Sequence, residues 1–175
     1  MPVLSAHPSP PAGGSNRSFE LSWELFGELC RALAVRVARD YRPDLVIGLA
    51  TAGVMPAATV AAMLRVDFEA MKVTRREGGE LVRRNPMVLS PTPVAARGRR
   101  VLIVDEITTS GDTLRLALAA VREVGPAEVR TATSFVRPGG YRPDFHALET
   151  EDLIVFPWDR QVMDEGELVT HPYYA

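Results

Sequence analysis

Two adjacent acids follow the most apolar run of the chain. Residues 101–104 are all aliphatic, Asp105 and Glu106 come next, and a hydroxyl-rich turn with one glycine leads into a helical pattern from Thr113. Amides and hydroxyls at a helix N-terminus suit a phosphate. The two carboxylates would repel a phosphate and prefer sugar hydroxyls or a metal ion. Acids beside a phosphate-binding turn therefore predict a phosphorylated sugar as the ligand.

The segments around this motif alternate between strand and helix patterns. The predicted elements are a helix at 23–41 behind an N-cap at Ser22, a strand at 45–49, a helix at 56–64, and then a strand at 66–73, a strand at 101–104, a helix at 113–124 and strands at 129–136 and 153–156. This order predicts an α/β fold with a parallel sheet and helices on both faces. Ligands of such sheets bind at the carboxyl ends of the strands, where the turn after Glu106 would lie.

Length and composition exclude several classes of protein. The chain has 175 residues, which predicts one domain at 19–175 behind a flexible Pro- and Ser-rich leader at 1–18. A net charge of −2 argues against nucleic acid or anionic lipid as a partner. The single Cys30 cannot form an intrachain disulfide and fits a reducing cytoplasm. The uncharged stretch 45–64 is interrupted by glycine and proline, which argues against a membrane span.

Residues 101–113 resemble the 5-phosphoribosyl-1-pyrophosphate (PRPP) motif of type I phosphoribosyltransferases. The resemblance implies that family's fold: a single parallel-sheet α/β domain with a small C-terminal hood that binds the base. It also implies that Asp105 and Glu106 hold the ribose hydroxyls. The residues implied in binding the 5′-phosphate end of PRPP are Thr108, Thr109, Ser110, Gly111, Asp112 and Thr113.

The segment 48–53, Gly-Leu-Ala-Thr-Ala-Gly, resembles the family's pyrophosphate loop, in which an often cis, non-proline peptide turns amides toward the ligand. The resemblance assigns Thr51, Ala52 and Gly53 to PRPP. An ordinary strand-to-helix turn is the alternative.

Basic residues are concentrated between residues 72 and 100, where eight of them stand against two acids. The part from residue 72 to residue 84 occupies the position of the family's flexible catalytic loop, which closes over the departing pyrophosphate. Lys72, Arg75 and Arg76 are the candidates there. A solvated basic loop is the alternative.

The C-terminal third resembles the base-binding end of hypoxanthine and xanthine-guanine phosphoribosyltransferases. The resemblance implies that Arg137 binds the purine 6-oxo group and that Leu153 packs on the ring. It also implies that the backbone of Ile154 contacts the ring edge and that Asp159 interacts with the 2-position or with a magnesium ion. Each residue has a plain structural alternative, such as a surface charge for Arg137 or a helix cap for Asp159.

Two residues depart from that branch. Thr109 stands where these enzymes usually carry an aspartate that accepts the N7 proton, and threonine is no base at neutral pH. Leu153 replaces a residue that is often aromatic. Both departures leave open which nucleobase the protein uses.

The resemblance implies a cytoplasmic, homodimeric purine salvage enzyme that converts PRPP and a 6-oxopurine into a nucleoside 5′-monophosphate and pyrophosphate. Mg²⁺ would enter with PRPP, near Asp105, Glu106 and Asp159, because it favours phosphate oxygens, water and few carboxylates. The alternatives are an orotate or adenine enzyme, the former suggested by the segment 51–53, and a non-catalytic regulator that senses PRPP or nucleotides.

Overall fold

A computed structural model of the protein describes residues 17–77, 80–81 and 83–171. These residues form three α-helices and twelve strands. In chain order the elements are β1 (Ser18–Glu20), α1 (Trp23–Asp40), β2 (Leu45–Ala50), α2 (Val54–Leu64), β3 (Asp67–Thr74), β4 (Arg76–Glu77), β5 (Glu80–Leu81), β6 (Met87–Val88), β7 (Arg100–Thr108), α3 (Asp112–Val124), β8 (Glu128–Val136), β9 (Phe145–Glu149), β10 (Leu153–Val155), β11 (Gln161–Asp164) and β12 (Glu167–Thr170).

A six-stranded sheet in the order β6-β3-β2-β7-β8-β9 forms the centre of the fold. Five of its strands run parallel, and β6 adds a short antiparallel edge to β3. The predicted parallel sheet is therefore confirmed, with one antiparallel edge strand added. Because β2, β3, β7 and β8 are neighbours with a common direction, their carboxyl ends meet at one edge.

The helices cover both faces of the sheet, as predicted. Successive strand residues point to opposite faces, so Val46 and Leu102 pack with α1 and α2, whereas Leu45 and Ile103 pack with α3. Burial on both sides explains why these strands are almost wholly aliphatic. No helix among the described residues combines the length and apolarity that crossing a membrane requires.

Helix α1 begins and ends as its sequence predicts. The N–H of Leu25 donates to Ser22 Oγ at 3.2 Å, which caps the first turn. The helix ends at Asp40, three residues before Pro43. Tyr41 then turns inward, and its hydroxyl donates to the carbonyl of Val101 at 3.0 Å. The end of α1 is thereby attached to the start of β7.

The strand predicted at 101–104 is longer than its aliphatic run. Pairing with β8 continues through Asp105↔Thr133 to Thr108↔Val136, so both acids lie inside β7 rather than in the turn after it. Inter-strand hydrogen bonds outweigh the low strand propensity of the acids. Helix α2 likewise starts at Val54, two residues before the predicted start at Pro56.

Several strands were not predicted. Among them is β9, which completes the sheet. The weak periodicity of residues 74–98 predicts a long loop and leaves short strands there open, and β4, β5 and β6 are such short strands. β1 pairs in parallel with β10, and β11 with β12 forms a hairpin; we call these four strands the hood. Residues 1–16 of the predicted leader lie outside the described residues, and Ser18 is the first residue of β1 rather than part of a leader.

Candidate active site

The two acids of β7 differ in their surroundings. Asp105 is buried, at 8% exposure, and its Oδ1 accepts a hydrogen bond from the N–H of Glu106 at 3.0 Å. Burial raises the pKa of Asp105, and the hydrogen bonds with Glu106 offset part of that effect. Glu106 is partly exposed at the same strand end. The pair therefore offers one shielded carboxylate and one accessible carboxylate.

The candidate pyrophosphate loop lies directly against Asp105. A Cβ on Gly53 would lie 2.6 Å from Asp105 Oδ1 and 2.6 Å from the carbonyl oxygen of Leu49, so only glycine fits there. The peptide between Ala50 and Thr51 is cis. Thr51 is exposed, Ala52 is partly buried and Gly53 is buried. The end of this loop at Gly53 is thus in direct contact with Asp105 of β7.

The candidate phosphate loop turns sharply after β7. Ser110 Oγ donates to Asp112 Oδ2 at 2.8 Å, and Gly111 has a φ of +79°, which glycine adopts most readily. Thr109 and Ser110 are exposed, Thr108 is buried, and Thr113 lies in the first turn of α3. The loop therefore presents two hydroxyls and a helix N-terminus at the carboxyl edge, a combination that suits an anionic oxygen group.

Tyr141 and Arg115 support this loop, and neither was predicted. The Tyr141 ring covers Gly111, where a Cβ would lie 2.3 Å from the ring carbon Cγ. The N–H of Tyr141 donates to the carbonyl of Thr109 at 2.9 Å. The Arg115 guanidinium lies 4.6 Å from the Tyr141 ring centroid and donates to the carbonyl of Ser110 at 2.7 Å. A helical-face arginine and a loop tyrosine carry no sequence pattern that distinguishes them from surface residues.

Arg137 lies beside the phosphate loop. Its guanidinium donates to the carbonyl oxygens of Asp152 and Thr150, the latter at 3.4 Å. Burial lowers the pKa of Arg137, and the charge of Asp152 offsets this in part. Arg137 lines a cavity of about 520 Å³ together with Thr109, Ser110, Arg115 and the segment 138–141. The predicted base-binding arginine and the predicted phosphate loop therefore open into one space.

The other predicted base-binding residues belong to or follow the hood. Leu153 is partly exposed at the start of β10, directly after the carbonyl to which Arg137 donates. Ile154 is buried and pairs with Phe19 of β1. Asp159 follows the strand, where its N–H donates to the carbonyl of Phe156 at 3.0 Å. The structure thus places Leu153 directly after Asp152, whose carbonyl accepts from Arg137, and the cavity is lined by none of Leu153, Ile154 and Asp159.

Two of the three basic candidates can be located at side-chain level. Lys72 lies within β3 opposite Ala50 of β2, inside the strand predicted at 66–73, so its position beside the pyrophosphate loop belongs to the sheet and not to the flexible loop that the family resemblance implies. Pairing with β2 fixes the backbone of Lys72 in the sheet. Arg75 is exposed just after β3, and its carbonyl accepts from the N–H of Arg83 at 3.1 Å. Arg76 opens β4, and its side chain is outside the described part of the chain.

A magnesium ion would have few protein ligands here. The described residues hold no cluster of three or more histidine, cysteine, aspartate or glutamate side chains able to bind a metal. The adjacent carboxylates of Asp105 and Glu106 nevertheless suit Mg²⁺, which binds through one or two carboxylates and takes its other ligands from water and substrate phosphates. Asp159 lies four residues beyond the end of β10 at Val155.

Residues 21–167 match the family described as the phosphoribosyl transferase domain. The chain belongs to the phosphoribosyltransferase family. It is similar to a xanthine-guanine phosphoribosyltransferase of Nitratidesulfovibrio vulgaris, with 30% identity over 88% of this chain and 92% of that protein. The predicted type I family, its purine branch and the glycosyltransferase class of enzyme are thereby confirmed.

Further relatives agree with this family. The crystal structure of a purine phosphoribosyltransferase from Pyrococcus horikoshii is similar to the chain with a TM-score of 0.71 and 28% identity, covering 85% of this chain and 98% of that one. An orotate phosphoribosyltransferase 2 of Mesorhizobium japonicum is 38% identical over 64% of this chain and 54% of its own length. The α/β fold of the family is therefore confirmed.

Proposed function

We propose that the protein transfers the 5-phosphoribosyl group of PRPP to a 6-oxopurine (guanine, xanthine or hypoxanthine) and releases a nucleoside 5′-monophosphate and pyrophosphate. One observation carries this proposal: the acids of β7, the loop 109–113 and Arg137 adjoin one another at the carboxyl edge of the sheet, and the last two line one cavity. The similarity to xanthine-guanine enzymes over 88% of the chain supports the purine as acceptor.

The ribose 5-phosphate part of PRPP is held along β7 and its turn. Asp105 and Glu106 accept hydrogen bonds from the ribose 2′- and 3′-hydroxyls, since carboxylates bind hydroxyl donors strongly. The 5′-phosphate lies on residues 109–113, where hydroxyls and the N-terminus of α3 favour negative charge. Fixing both ends of the sugar orients C1′ toward the cavity, and such positioning contributes a large part of catalysis.

The pyrophosphate part lies toward residues 51–53. Lys72, opposite Ala50, is the nearest candidate cation in the sheet. Arg75 stands a few residues further along. Mg²⁺, when bound with PRPP, neutralises charge that develops on the leaving pyrophosphate. Asp105 and Glu106 would hold it through substrate oxygens and water, and Asp159 would contribute indirectly from the hood side.

The purine lies between the phosphate loop and β10. Arg137 donates to the 6-oxo oxygen, because guanidinium groups are strong and permanent donors. Leu153 packs on the ring, and the backbone of Ile154 meets the ring edge. A ring nitrogen then displaces pyrophosphate from C1′ with inversion, as carbon–oxygen cleavage builds positive charge on the ribose.

The proposed compartment and oligomeric state are based on the same family resemblance. We propose a cytoplasmic homodimer, with no nucleic acid or membrane partner. Exposed apolar side chains on α2 and β3, namely Met55, Met63 and Phe68 at 37–45% exposure, offer a surface for a second copy. The unpaired Cys30 fits a reducing compartment.

Orotate is the second candidate acceptor. The 38% identity with an orotate enzyme over 64% of this chain favours it. A regulator that binds PRPP without turnover is the third possibility, since Thr109 cannot act as a base. Incubation with Mg-PRPP and a panel of guanine, xanthine, hypoxanthine, adenine and orotate separates the three. Nucleotide formation from 6-oxopurines supports the proposal, whereas turnover of orotate alone, or PRPP binding without turnover, contradicts it.

Arg137→Ala tests the base side of the site. We expect a loss of about 10–100-fold in kcat/KM for 6-oxopurines, corresponding to one lost hydrogen bond to a charged donor, with the affinity for PRPP retained. Arg142→Ala is the matched control, because Arg142 is exposed and pairs with Glu149. Equal losses of purine use and PRPP affinity in Arg137→Ala would show that the base lies elsewhere.

A further inference from the structure

A carboxylate lies inside the loop to which the proposed function assigns the 5′-phosphate. Asp112 Oδ2 accepts a hydrogen bond from Ser110 Oγ at 2.8 Å, and the N–H of Asp112 donates to the same hydroxyl at 3.4 Å. A phosphate oxygen bound by the Ser110 hydroxyl would lie within about 5.6 Å of this carboxylate, two hydrogen-bond lengths away. Because both groups are anionic, the Asp112 side chain opposes the binding that the amides and hydroxyls of the loop favour.

Arg115 lies against this carboxylate and neutralises it. From the first turn of α3, its Nη1 lies 3.2 Å from Asp112 Oδ1 and donates to the carbonyl of Ser110 at 2.7 Å. The guanidinium also lies over the Tyr141 ring, 4.6 Å from the centroid, which holds it beside the loop. When Ser110 turns its hydroxyl toward a phosphate, Asp112 keeps Arg115 as a partner. The pair thus contributes no net charge at the place where the phosphate binds.

Other charged side chains at this edge of the sheet have different assignments. Asp105 and Glu106 precede the loop in β7, and the proposed function gives them the ribose hydroxyls. Arg137 lines the cavity next to the loop, and the same proposal gives it the purine 6-oxo group. These three side chains stay unchanged when Asp112 and Arg115 are substituted. Differences in phosphate affinity between such variants therefore come from the Asp112–Arg115 pair.

We infer that Arg115 is a positioning residue for the 5′-phosphate, which it serves by neutralising Asp112 so that the loop accepts a dianion. The inference rests on the proposed function, and it assigns the Asp112 carboxylate to Arg115 rather than to PRPP. Both side chains are about half exposed, at 51% and 55%, so the medium between the charges is close to water. In water, one uncompensated carboxylate at about 5.6 Å weakens binding by about 3-fold per unit of phosphate charge, hence by about 10-fold for a dianion.

Calorimetry with ribose 5-phosphate at low ionic strength tests this in the wild type, Arg115→Gln, Asp112→Asn and the double variant. We expect Arg115→Gln to weaken binding about 10-fold and Asp112→Asn to strengthen it, whereas the double variant should bind as the wild type does. The loss in Arg115→Gln should shrink as added salt screens the carboxylate. A loss of the same size in Arg115→Gln and the double variant, at every salt concentration, would mean that Arg115 holds the loop or contacts the phosphate itself. That result would overturn the inference.

Two further variants separate charge from structure. Arg115→Lys keeps the charge without the planar group on Tyr141 and should retain most of the affinity, so a loss as large as that of Arg115→Gln would refute neutralisation. Arg31→Gln is the control, because Arg31 pairs with Glu28 at the same spacing of three residues on α1, and its affinity should equal that of the wild type. Equal affinity of all variants would overturn the inference alone and leave the proposed function intact. No binding of ribose 5-phosphate to the wild type would contradict both.

Discussion

Gly111→Ala is expected to destabilise the protein in two separable ways. The φ of +79° places the new Cβ in a left-handed backbone conformation, which costs about 1–2 kcal/mol. The same Cβ would lie 2.3, 2.4 and 2.7 Å from Cγ, Cβ and Cδ1 of Tyr141. Overpacking of this kind costs about 1–3 kcal/mol. The substitution should therefore lower the free energy of unfolding by about 2–5 kcal/mol.

Truncation of Tyr141 separates the two costs. Tyr141→Ala removes the ring but keeps the Cβ at 2.4 Å, whereas Tyr141→Gly removes all three close atoms. We expect Gly111→Ala to cost least when it is combined with Tyr141→Gly, where only the backbone strain of about 1–2 kcal/mol remains. Combined with Tyr141→Ala, it should cost an intermediate amount. The coupling should thus be about 1–3 kcal/mol.

Urea unfolding followed by tryptophan fluorescence measures each free energy, and calorimetry with ribose 5-phosphate measures the effect on the loop. The affinity for ribose 5-phosphate should fall in Gly111→Ala and recover in part when Tyr141 is truncated. An equal cost of Gly111→Ala in all three backgrounds would refute the packing of the ring against the phosphate loop.

Three further changes test other contacts. Gly53→Ala should cost about 1–3 kcal/mol in urea unfolding, because its Cβ would lie 2.6 Å from Asp105 Oδ1; an unchanged unfolding midpoint would contradict that contact. The Arg100 guanidinium lowers the pKa of Asp44 from 3.8 to about 2. The contribution of this ion pair to the stability of the folded protein is therefore present above pH 3.8 and is lost as the pH falls through about 2. The stability difference between wild type and Asp44→Asn should shrink over that window, and a constant difference would be contrary to the ion pair. Burial raises the pKa of the Cys30 thiol to about 12, so iodoacetamide should label it at mildly alkaline pH only after unfolding; labelling of the native protein would disprove its burial.

The main elements of the fold could be predicted because their signals are local. A few residues suffice to indicate each of these elements: the aliphatic runs indicate β2 and β7, and the Ser22 cap indicates α1. The end of β7 could not be predicted in this way, since Asp105 and Glu106 are held in the strand by pairing with β8. β1 has only three residues, and its partner β10 lies more than 130 residues away in the chain. Such long-range pairing has no local pattern.

The candidate site likewise has parts that local sequence could predict and parts that depend on tertiary contacts. The acids of β7 and the loop after them are contiguous, so a resemblance of thirteen residues, 101–113, was sufficient to propose them. The support of that loop by Tyr141 and Arg115 depends on how the segment after β8 folds back. The position of Lys72 beside Ala50 depends on strand register. Both are tertiary contacts, which residue type and spacing do not encode.

A crystal structure of the protein with ribose 5-phosphate tests the central claim most directly. The account predicts sugar hydroxyls within hydrogen-bond distance of Asp105 and Glu106, and the phosphate on the amides and hydroxyls of residues 109–113. Ribose 5-phosphate bound at a different edge of the sheet, or reversed so that its phosphate faces the two acids, would contradict it.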